Sequence, residues 1–337
     1  MSQWQGPVAV IGAGAWGTTI SRMLAERGIE ARLWAVTREL ADEIARHGEN
    51  VTFLPGFKLP ESLVVSPDGE RVLSGASAVI WVVPSPWLRD VAAALREFAP
   101  PDVLMVCATK GLERRSGLRM SQVLGEELGP EVGAGIVALS GPNLSGEIAE
   151  GHPAVSVAAS ADQGRAAQAQ ELLSSGAFRV YRNVDIIGVE LCGALKNVIA
   201  IAAGVSDGLG YGANARAALV TRGLAEMTRL GVQLGARPET FAGIAGMGDL
   251  VTTCTSELSR NHTTGVRLAQ GESREQIERS TASVAEGIWT TAAEMDLAQQ
   301  AGVEVPIAEG VYAVLFEHAD PREVAAGLMT RAQKAEF

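Results

Sequence analysis

Short apolar runs alternate with longer amphipathic segments through the first half of the chain. The runs are rich in β-branched residues and cover residues 8–11, 31–35, 78–83, 103–108, 135–139, 154–158 and 178–181. Continuous apolar runs of this length are typical of strands that are buried on both faces. Helical patterns at 17–27, 88–98 and 120–128 lie between several of them. This alternation predicts an α/β fold with a parallel, doubly wound sheet.

The pattern changes near residue 185, where strand signals almost disappear. Apolar positions then recur at helical intervals over residues 186–205, 215–234, 260–270, 274–278, 287–301 and 307–316. Such spacing is typical of helices that bury one face. The sequence therefore predicts an all-helical C-terminal domain at 184–337, after a sheet domain at 1–183.

Composition narrows the class of protein. The 337 residues carry a net charge of −11, which argues against a nucleic-acid binder, because such proteins need basic patches. The three cysteines and four histidines show no metal-ligand spacing, so we expect no metal and a reducing compartment. No secretory signal is apparent, and the longest apolar run, at 198–205, is too short for a membrane span. We expect a cytoplasmic protein without a membrane span.

A glycine-rich loop follows the first predicted strand. It reads Gly12-Ala13-Gly14-Ala15-Trp16-Gly17 and opens the first predicted helix. In this context the first glycine permits a tight turn, the second lets the backbone approach a pyrophosphate, and the third allows close packing of helix on strand. The loop predicts a dinucleotide site and a Rossmann-type sheet, whereas a purely structural glycine turn is the alternative.

The end of the second strand bears on the choice of cofactor. An acidic residue there binds the ribose 2′-hydroxyl of NAD. The chain instead has Ala35, Val36, Thr37 and Arg38, with no acid before Glu39. This favours NADPH over NADH, although Arg38 could also be a solvated residue at a helix start.

Two further motifs follow strands of the predicted sheet. Lys110 comes directly after one strand, and Ser140-Gly141-Pro142-Asn143 follows the next. Ligands bind at the carboxyl ends of such strands, where a lysine can meet a phosphate and a glycine amide can meet an anion. A surface lysine and an ordinary turn remain open as alternatives.

The helical half contains a lysine within an apolar segment. Lys196 interrupts the predicted helix 186–205, and a buried lysine is costly unless it is paired or functional. Placed against a carbonyl, it could donate the proton that accompanies hydride transfer. The alternative is a lysine that extends from the helix edge to solvent.

Polar residues also cluster further along this half. Glycines surround Asp249, which predicts a tight loop that presents a carboxylate. Ser259, Arg260 and Asn261 follow, and an arginine is suited to bidentate phosphate binding. A helix that simply starts at Ser-Arg-Asn is the alternative.

Taken in order, these motifs resemble the bacterial NAD(P)-dependent glycerol-3-phosphate dehydrogenases over about residues 7–330. The resemblance is carried by the glycine loop, Val83-Pro84-Ser85, Ala108-Thr109-Lys110-Gly111, Ser140-Gly141-Pro142, Lys196-Asn197, Gly248-Asp249-Leu250, Ser259-Arg260-Asn261 and the segment 193–230. In the family, position 15 is often Ser, position 143 often Ser or Thr, and positions 144–145 often Phe-Ala. Here they are Ala15, Asn143 and Leu144-Ser145.

The resemblance implies reversible reduction of dihydroxyacetone phosphate, a small phosphorylated triose, to sn-glycerol 3-phosphate for phospholipid synthesis. It implies a homodimer in which Lys196 transfers the proton, and Asp249 would orient Lys196 or a substrate hydroxyl. Substrate-contacting positions would be Lys110, Gly141, Asn143, Lys196, Asp249, Ser259, Arg260 and Asn261. Cofactor-contacting positions would be Ala15, Trp16, Lys110, Ser145, Arg260, Val284 and Glu286, in addition to Gly12, Gly14, Gly17 and Arg38 from the motif analysis.

Two other functions remain open at this point. A β-hydroxyacid or ketopantoate-type reductase would share the architecture but has less need of Ser259-Arg260-Asn261. A non-catalytic nucleotide-binding sensor would not need Lys196, Asp249 and Arg260 together.

Overall fold

The computed structural model describes residues 4–281, 285–333 and 335. The chain forms two compact units, the first of Met1–Lys110 and Leu118–Glu190, the second of Gly111–Gly117 and Leu191–Phe337. The sequence-based boundary after residue 183 precedes the observed transition at Glu190. That boundary also left 111–117 in the first domain, because nothing local in this segment marks it as part of the helical unit.

The first unit is built on an eight-stranded sheet in the order β3-β2-β1-β4-β5-β6-β7-β8. The strands are β1 Val8–Ile11, β2 Ala31–Trp34, β3 Val64–Ser66, β4 Ala78–Trp81, β5 Leu104–Cys107, β6 Val137–Ser140, β7 Ala154–Ala159 and β8 Phe178–Asn183. The strand order reverses at β1, beside which β4 lies on one side and β2 on the other. This is a Rossmann-type doubly wound sheet, as the sequence predicts.

Two features of the sheet depart from the predicted all-parallel arrangement. β7 pairs with β6 in the antiparallel direction, with Leu139 opposite Ala158. The helix between them, Ser145–Ala149, has only five residues and is too short to return the chain to the starting edge. The edge strand β3 was not predicted, because three residues contain no apolar run long enough to detect.

The core of this unit lies on both faces of the sheet. Val8 and Val10 pack in one buried cluster, whereas Ala9 and Ile11 pack in another. Successive strand residues point to opposite faces, so a strand covered on both sides must be apolar at every position. The helices of the unit are α1 Ala15–Glu26, α2 Arg38–His47, α3 Gly69–Leu73, α4 Leu88–Leu95, α5 Met120–Leu128, α6 Pro130–Gly135, α7 Ser145–Ala149 and α8 Gln163–Leu173.

Helices dominate the second unit. They are α9 Ile186–Gly208, which begins in the first unit, α10 Ala213–Gln233, α11 Pro238–Phe241, α12 Asp249–Thr255, α13 Arg260–Ala269, α14 Arg274–Ser280, α15 Glu286–Ala301, α16 Pro306–Phe316 and α17 Pro321–Met329. By length and apolarity α9 could cross a bilayer, but 83% of its most apolar stretch is buried by protein. Its composition is therefore that of a core helix.

The segment Gly111–Gly117 packs on α15 within the second unit. The Arg114 guanidinium lies 5.2 Å from the centroid of the Trp289 ring, in a cation–π contact. Gly117 has φ +70, and a Cβ at this position would approach Leu297 to 3.1 Å. A segment far away in sequence thus covers one side of the helix.

Two glutamates are buried among the helices of this unit. The Glu226 carboxylate accepts hydrogen bonds from the backbone of Ile307 at 3.1 Å and Ala308 at 3.0 Å, in the first turn of α16. Burial raises the pKa of Glu226 to about 7 despite these bonds. Glu294 is fully buried on α15, and neither of its carboxyl oxygens has a hydrogen-bond partner among the described residues. Burial, and then the charge of Glu226, raise its pKa well above the usual value.

We expect Glu294→Gln to stabilise the protein increasingly as pH rises. Glu294 is protonated in the native state, whereas in the unfolded chain it ionises above the ordinary glutamate pKa. Its contribution to the free energy of unfolding is therefore fully present only at low pH. The contribution is lost as pH rises from the unfolded pKa towards the raised folded one. The difference in free energy of unfolding between variant and wild type should grow by about 1.4 kcal/mol per pH unit in that window.

Urea unfolding at pH 6, 7 and 8 measures this difference. Glu323→Gln on α17, where the glutamate is exposed, controls for the loss of one negative charge. A difference that stays constant with pH would show that Glu294 ionises normally in the native state.

Candidate functional site

The glycine loop after β1 has the backbone that a dinucleotide site requires. Gly12 has φ +119, in a region that L side chains rarely adopt. A Cβ at Gly17 would lie 1.9 Å from the Gly12 carbonyl oxygen, so helix α1 packs against the loop at backbone distance. A Cβ at Gly14 would meet nothing within 4 Å. The three glycines therefore serve the turn, the close packing and an open approach.

The N-terminus of α1 offers donors to an anion. Gly14 is the N-cap residue, and no side chain caps the first turn, which begins with Ala15 and Trp16. Backbone N–H groups at such an end attract phosphate. The indole Nε1 of Trp16 is buried without a hydrogen-bond partner among the described residues, and its ring lies 5.8 Å from that of Phe178. An open glycine and an uncapped helix end fit a bound pyrophosphate.

The residues after β2 begin the next helix. Thr37 is the N-cap of α2, and its hydroxyl accepts a hydrogen bond from the Leu40 backbone at 3.2 Å. Arg38 is the first residue of the helix and is exposed, as is Val36. The positions directly after β2, where an NAD-specific site would carry an acid, are Ala35 and Val36, and Arg38 follows at the start of α2.

The carboxyl ends of β5 and β6 bring two predicted residues together. The ammonium of Lys110 donates a hydrogen bond to the Gly141 carbonyl at 2.7 Å. Both strands are parallel neighbours, so their carboxyl ends meet at one edge of the sheet. Asn143 lies in the turn after β6, and Ser145 is the first residue of α7. The hydrogen bond therefore places the two predicted motifs side by side at this edge of the sheet.

In the helical unit, Lys196 forms a buried ion pair with Asp249. Lys196 is 5% exposed and Asp249 is 1% exposed, and the Lys196 ammonium donates to Asp249 Oδ1. It also donates to the Thr253 hydroxyl at 2.7 Å, which in turn donates to the Asp249 carbonyl at 2.6 Å. The alternative of a lysine extending to solvent is therefore wrong. The arrangement holds an ammonium group in one orientation inside the protein.

A nearby thiol takes no part in this chemistry. Cys254 lies next to Thr253 on α12 and is buried. Burial raises the pKa of its thiol to about 12, although the Lys196 charge acts in the opposite direction. The thiol stays protonated at neutral pH and is not an activated nucleophile.

The glycines before Asp249 form a π-helical turn, Ile244–Gly248, and not the predicted loop. A Cβ at Gly246 would lie 2.1 Å from the Phe241 carbonyl oxygen, so only glycine allows this turn to pack on α11. Asp249 then starts α12 directly. The π-helical turn presents the Asp249 carboxylate, as the predicted loop would have done, but its backbone is more regular than that of a loop.

Helix α13 begins at the Ser259-Arg260-Asn261 motif. Ser259 is its N-cap and accepts a hydrogen bond from the His262 backbone at 3.3 Å, as the helix-start alternative proposes. Arg260 is exposed, yet desolvation by surrounding protein lowers its pKa, and the nearby Glu286 charge partly opposes this shift. An arginine that solvent reaches, but that neighbours partly desolvate, remains cationic and is suited to an anionic ligand.

Asn261 connects three helices. Its amide nitrogen donates to the Asn197 side-chain oxygen on α9 at 2.9 Å. Its amide oxygen accepts from the Gly287 backbone in the first turn of α15, also at 2.9 Å. Glu286 begins that helix, whereas Val284 lies outside the described residues. Asn261 thus ties Arg260 to the helices that carry Lys196 and Glu286.

Glycines bring α9 and α13 into backbone contact. A Cβ at Gly204 would lie 2.0 Å from the His262 carbonyl oxygen, and one at Gly265 would lie 2.0 Å from the Ile201 carbonyl oxygen. Next to this crossing, the His262 ring contacts Asp207 at 2.7 Å. The relative position of Lys196 and Arg260 is therefore set by two helices that cannot separate or rotate without losing these contacts.

The sequence reasoning did not assign roles to Thr253 and Asn197. Thr253 lies four residues after Asp249 on α12, so helical spacing could have identified it once the helix was known. Asn197 follows Lys196 directly, but its partner Asn261 is 64 residues away. No local pattern reports that contact.

Residues 7–166 and 185–326 match the N-terminal and C-terminal parts, respectively, of the NAD-dependent glycerol-3-phosphate dehydrogenase family. A glycerol-3-phosphate dehydrogenase [NAD(P)+] of Citrifermentans bemidjiense is 49% identical over 98% of both chains. The chain belongs to this family.

A solved structure of a glycerol-3-phosphate dehydrogenase has a similar fold over nearly the whole chain. The glycerol-3-phosphate dehydrogenase of Coxiella burnetii has a TM-score of 0.92 and 37% identity, covering 97% of this chain and 99% of that one. A ketopantoate reductase of Ralstonia eutropha covers 96% of this chain with a TM-score of 0.53 and 15% identity, which shows only a shared fold. The similarity to that reductase explains why architecture alone left a second reductase class open.

Proposed function

We propose that this chain catalyses the reversible reduction of dihydroxyacetone phosphate to sn-glycerol 3-phosphate with a nicotinamide dinucleotide. One observation carries this proposal beyond family membership: the buried cluster of Lys196, Asp249 and Thr253. A ketone reduction needs a proton at the carbonyl oxygen, and this cluster holds a proton donor in a fixed place.

Contacts within the helical unit support the roles that we propose for its residues. Lys196 donates its proton to the oxygen of the developing alkoxide and takes it back in the reverse reaction. Asp249 and Thr253 orient the ammonium group, and a contact between Asp249 and a substrate hydroxyl stays a prediction. Arg260 binds the phosphate, and Ser259 and Asn261 add hydrogen bonds, although the Asn261 amide also bonds to Asn197 and Gly287.

The roles in the sheet unit concern cofactor and substrate. The loop Gly12 to Gly17 and the start of α1 bind the pyrophosphate of the dinucleotide. Lys110, Gly141 and Asn143 contact the substrate, and Lys110 and Ser145 also contact the cofactor. The nicotinamide group supplies the hydride when it is bound. The contribution of Arg260, Glu286 and Val284 to cofactor binding remains a prediction from the resemblance.

A paired assay tests the proposed reaction. The purified protein should oxidise NADPH or NADH when dihydroxyacetone phosphate is added. Turnover of only ketopantoate or a 2-keto acid, with no response to dihydroxyacetone phosphate, would assign the chain to another reductase class. Cofactor binding without any turnover would favour a sensor.

We propose NADPH as the preferred cofactor because no acid directly follows β2 and Arg38 lies close by, at the start of α2. A guanidinium can bind a 2′-phosphate through charge-assisted hydrogen bonds. Arg38→Ala should lower kcat/KM for NADPH by about tenfold or more and leave that for NADH within about twofold. Steady-state rates with each cofactor measure this.

Arg46→Ala is the matched control, because Arg46 lies at the other end of α2 and is also exposed. It removes the same charge and should leave kcat/KM unchanged both for NADPH and for NADH. An equal loss with both cofactors in Arg38→Ala would exclude Arg38 as the discriminating residue.

A homodimer in the cytoplasm that supplies phospholipid synthesis stays a prediction, and sedimentation equilibrium tests the dimer.

A further inference from the structure

The side-chain amide of Asn143 forms a hydrogen bond through its nitrogen but, among the described residues, none through its oxygen. Its side-chain nitrogen donates to Ser156 Oγ on β7 at 3.1 Å. Its side-chain oxygen is buried and has no hydrogen-bond partner among the described residues. A buried oxygen without a donor is unfavourable, so a donor that arrives with a ligand would be bound at this point.

Ser156 determines which half of the amide is unpaired. Its hydroxyl donates to the Ser140 carbonyl at 2.9 Å. A hydroxyl has one hydrogen, so Ser156 can only accept from Asn143. If the amide were reversed, its oxygen would face a hydroxyl oxygen whose hydrogen is already used. The bond to Ser140 therefore directs the Asn143 oxygen away from Ser156.

This arrangement has little room for adjustment. Ser156 is fully buried in a strand that pairs with β6, and Gly141 packs directly on it. A Cβ at Gly141, where φ is +151, would lie 2.9 Å from Ser156 Cα. Lys110 also bonds to the Gly141 carbonyl at 2.7 Å, so Asn143 lies two residues from a residue proposed to contact the substrate.

We propose that Ser156 is a positioning residue that presents the Asn143 oxygen as an acceptor for the substrate hydroxyl. The inference rests on the proposed function. In dihydroxyacetone phosphate, the ketone and the phosphate dianion are acceptors only, so the hydroxymethyl group is the one donor. An acceptor oxygen on the protein can be paired by that hydroxyl alone, which makes Asn143 a specificity residue for it.

Acetol phosphate provides the matching probe, because a methyl group replaces the hydroxymethyl group and nothing else changes. Wild type should prefer dihydroxyacetone phosphate, measured as a ratio of kcat/KM values. Ser156→Ala should reduce this ratio about tenfold, through a higher KM for dihydroxyacetone phosphate. The kcat/KM for acetol phosphate and the Kd for NADPH should stay within about twofold of wild type.

A double-mutant cycle separates positioning from a general structural role. In an Asn143→Ala background the acceptor is gone, so Ser156→Ala should cause no further fall in the ratio. A fall of the same size in both backgrounds, or an equal loss with both substrates, would overturn the inference. A raised KM for NADPH alone would also overturn it, because the Asn143 oxygen would then serve the cofactor.

The melting temperature and NADPH affinity of each variant show whether it is folded. If Ser156→Ala is unfolded, the comparison of Asn143→Ala with wild type on the two substrates decides, and an unchanged ratio contradicts the inference. Wild-type protein that does not reduce dihydroxyacetone phosphate would contradict the proposed function itself. An active wild type whose ratio Ser156→Ala leaves unchanged would contradict only this inference.

Discussion

Lys196→Met should lower kcat/KM for dihydroxyacetone phosphate by about a thousandfold or more, which is the size expected when a general acid is lost. Methionine keeps most of the aliphatic volume but carries no proton. The Kd for NADPH should remain within about threefold of wild type, because the proposed pyrophosphate site lies on the loop from Gly12 to Gly17. Stopped-flow turnover and fluorescence titration measure the two quantities.

The single variant also leaves the Asp249 carboxylate buried without its cation. Breaking a buried ion pair in this way costs about 3–5 kcal/mol of stability, so lost activity could reflect unfolding. The double variant Lys196→Met with Asp249→Asn removes both charges, and Thr253 can still bond to the amide. It should recover much of the lost stability and none of the activity. A double variant that works near the wild-type rate would remove Lys196 from its proposed role.

Gly14→Ala and Gly17→Ala should separate cofactor binding from folding. A methyl at position 14 meets no protein atom within 4 Å and strains no backbone, since φ is −74. It would occupy the space of the proposed pyrophosphate. Gly14→Ala should keep the wild-type melting temperature and weaken NADPH binding by about tenfold or more.

Gly17→Ala should have the opposite primary effect. Its methyl would lie 1.9 Å from the Gly12 carbonyl oxygen, so α1 would have to move away from β1. Such overpacking costs about 1–3 kcal/mol or more and should lower the melting temperature by several degrees. Thermal unfolding and NADPH titration of both variants test the pair. Equal stability losses at the two positions would show that Gly14 is also needed for packing.

Most of the fold could be predicted from local pattern. Strands buried on both faces, such as Val8–Ile11, are continuously apolar, and helices such as α9 and α13 repeat their apolar positions at helical intervals. The glycine loop was also predictable, because its three glycines serve the turn, an open approach and the close packing of α1, all of which are local. These features depend on residues close in sequence, which is why the chain alone reports them.

Other features depended on pairing between distant residues. The direction of β7 follows from how the short α7 lets the chain turn, and β3 exists because β2 offers it an edge. The segment Gly111–Gly117 belongs to the helical unit only because Arg114 and Gly117 contact α15. Backbone pairing and packing of this kind have no local signature in residue type.

The candidate site shows the same division. The sequence by itself determined which residue types are available, namely the glycine loop, Lys110, Lys196, Asp249 and Arg260, and their order identified the family. Only the tertiary structure decided their partners: Thr253 for Lys196, Asn197 for Asn261, and Ser156 for Asn143. Hydrogen-bond direction and desolvation depend on what lies within a few ångströms, and the partners Thr253 of Lys196 and Asn197 of Asn261 are more than fifty residues away in the chain.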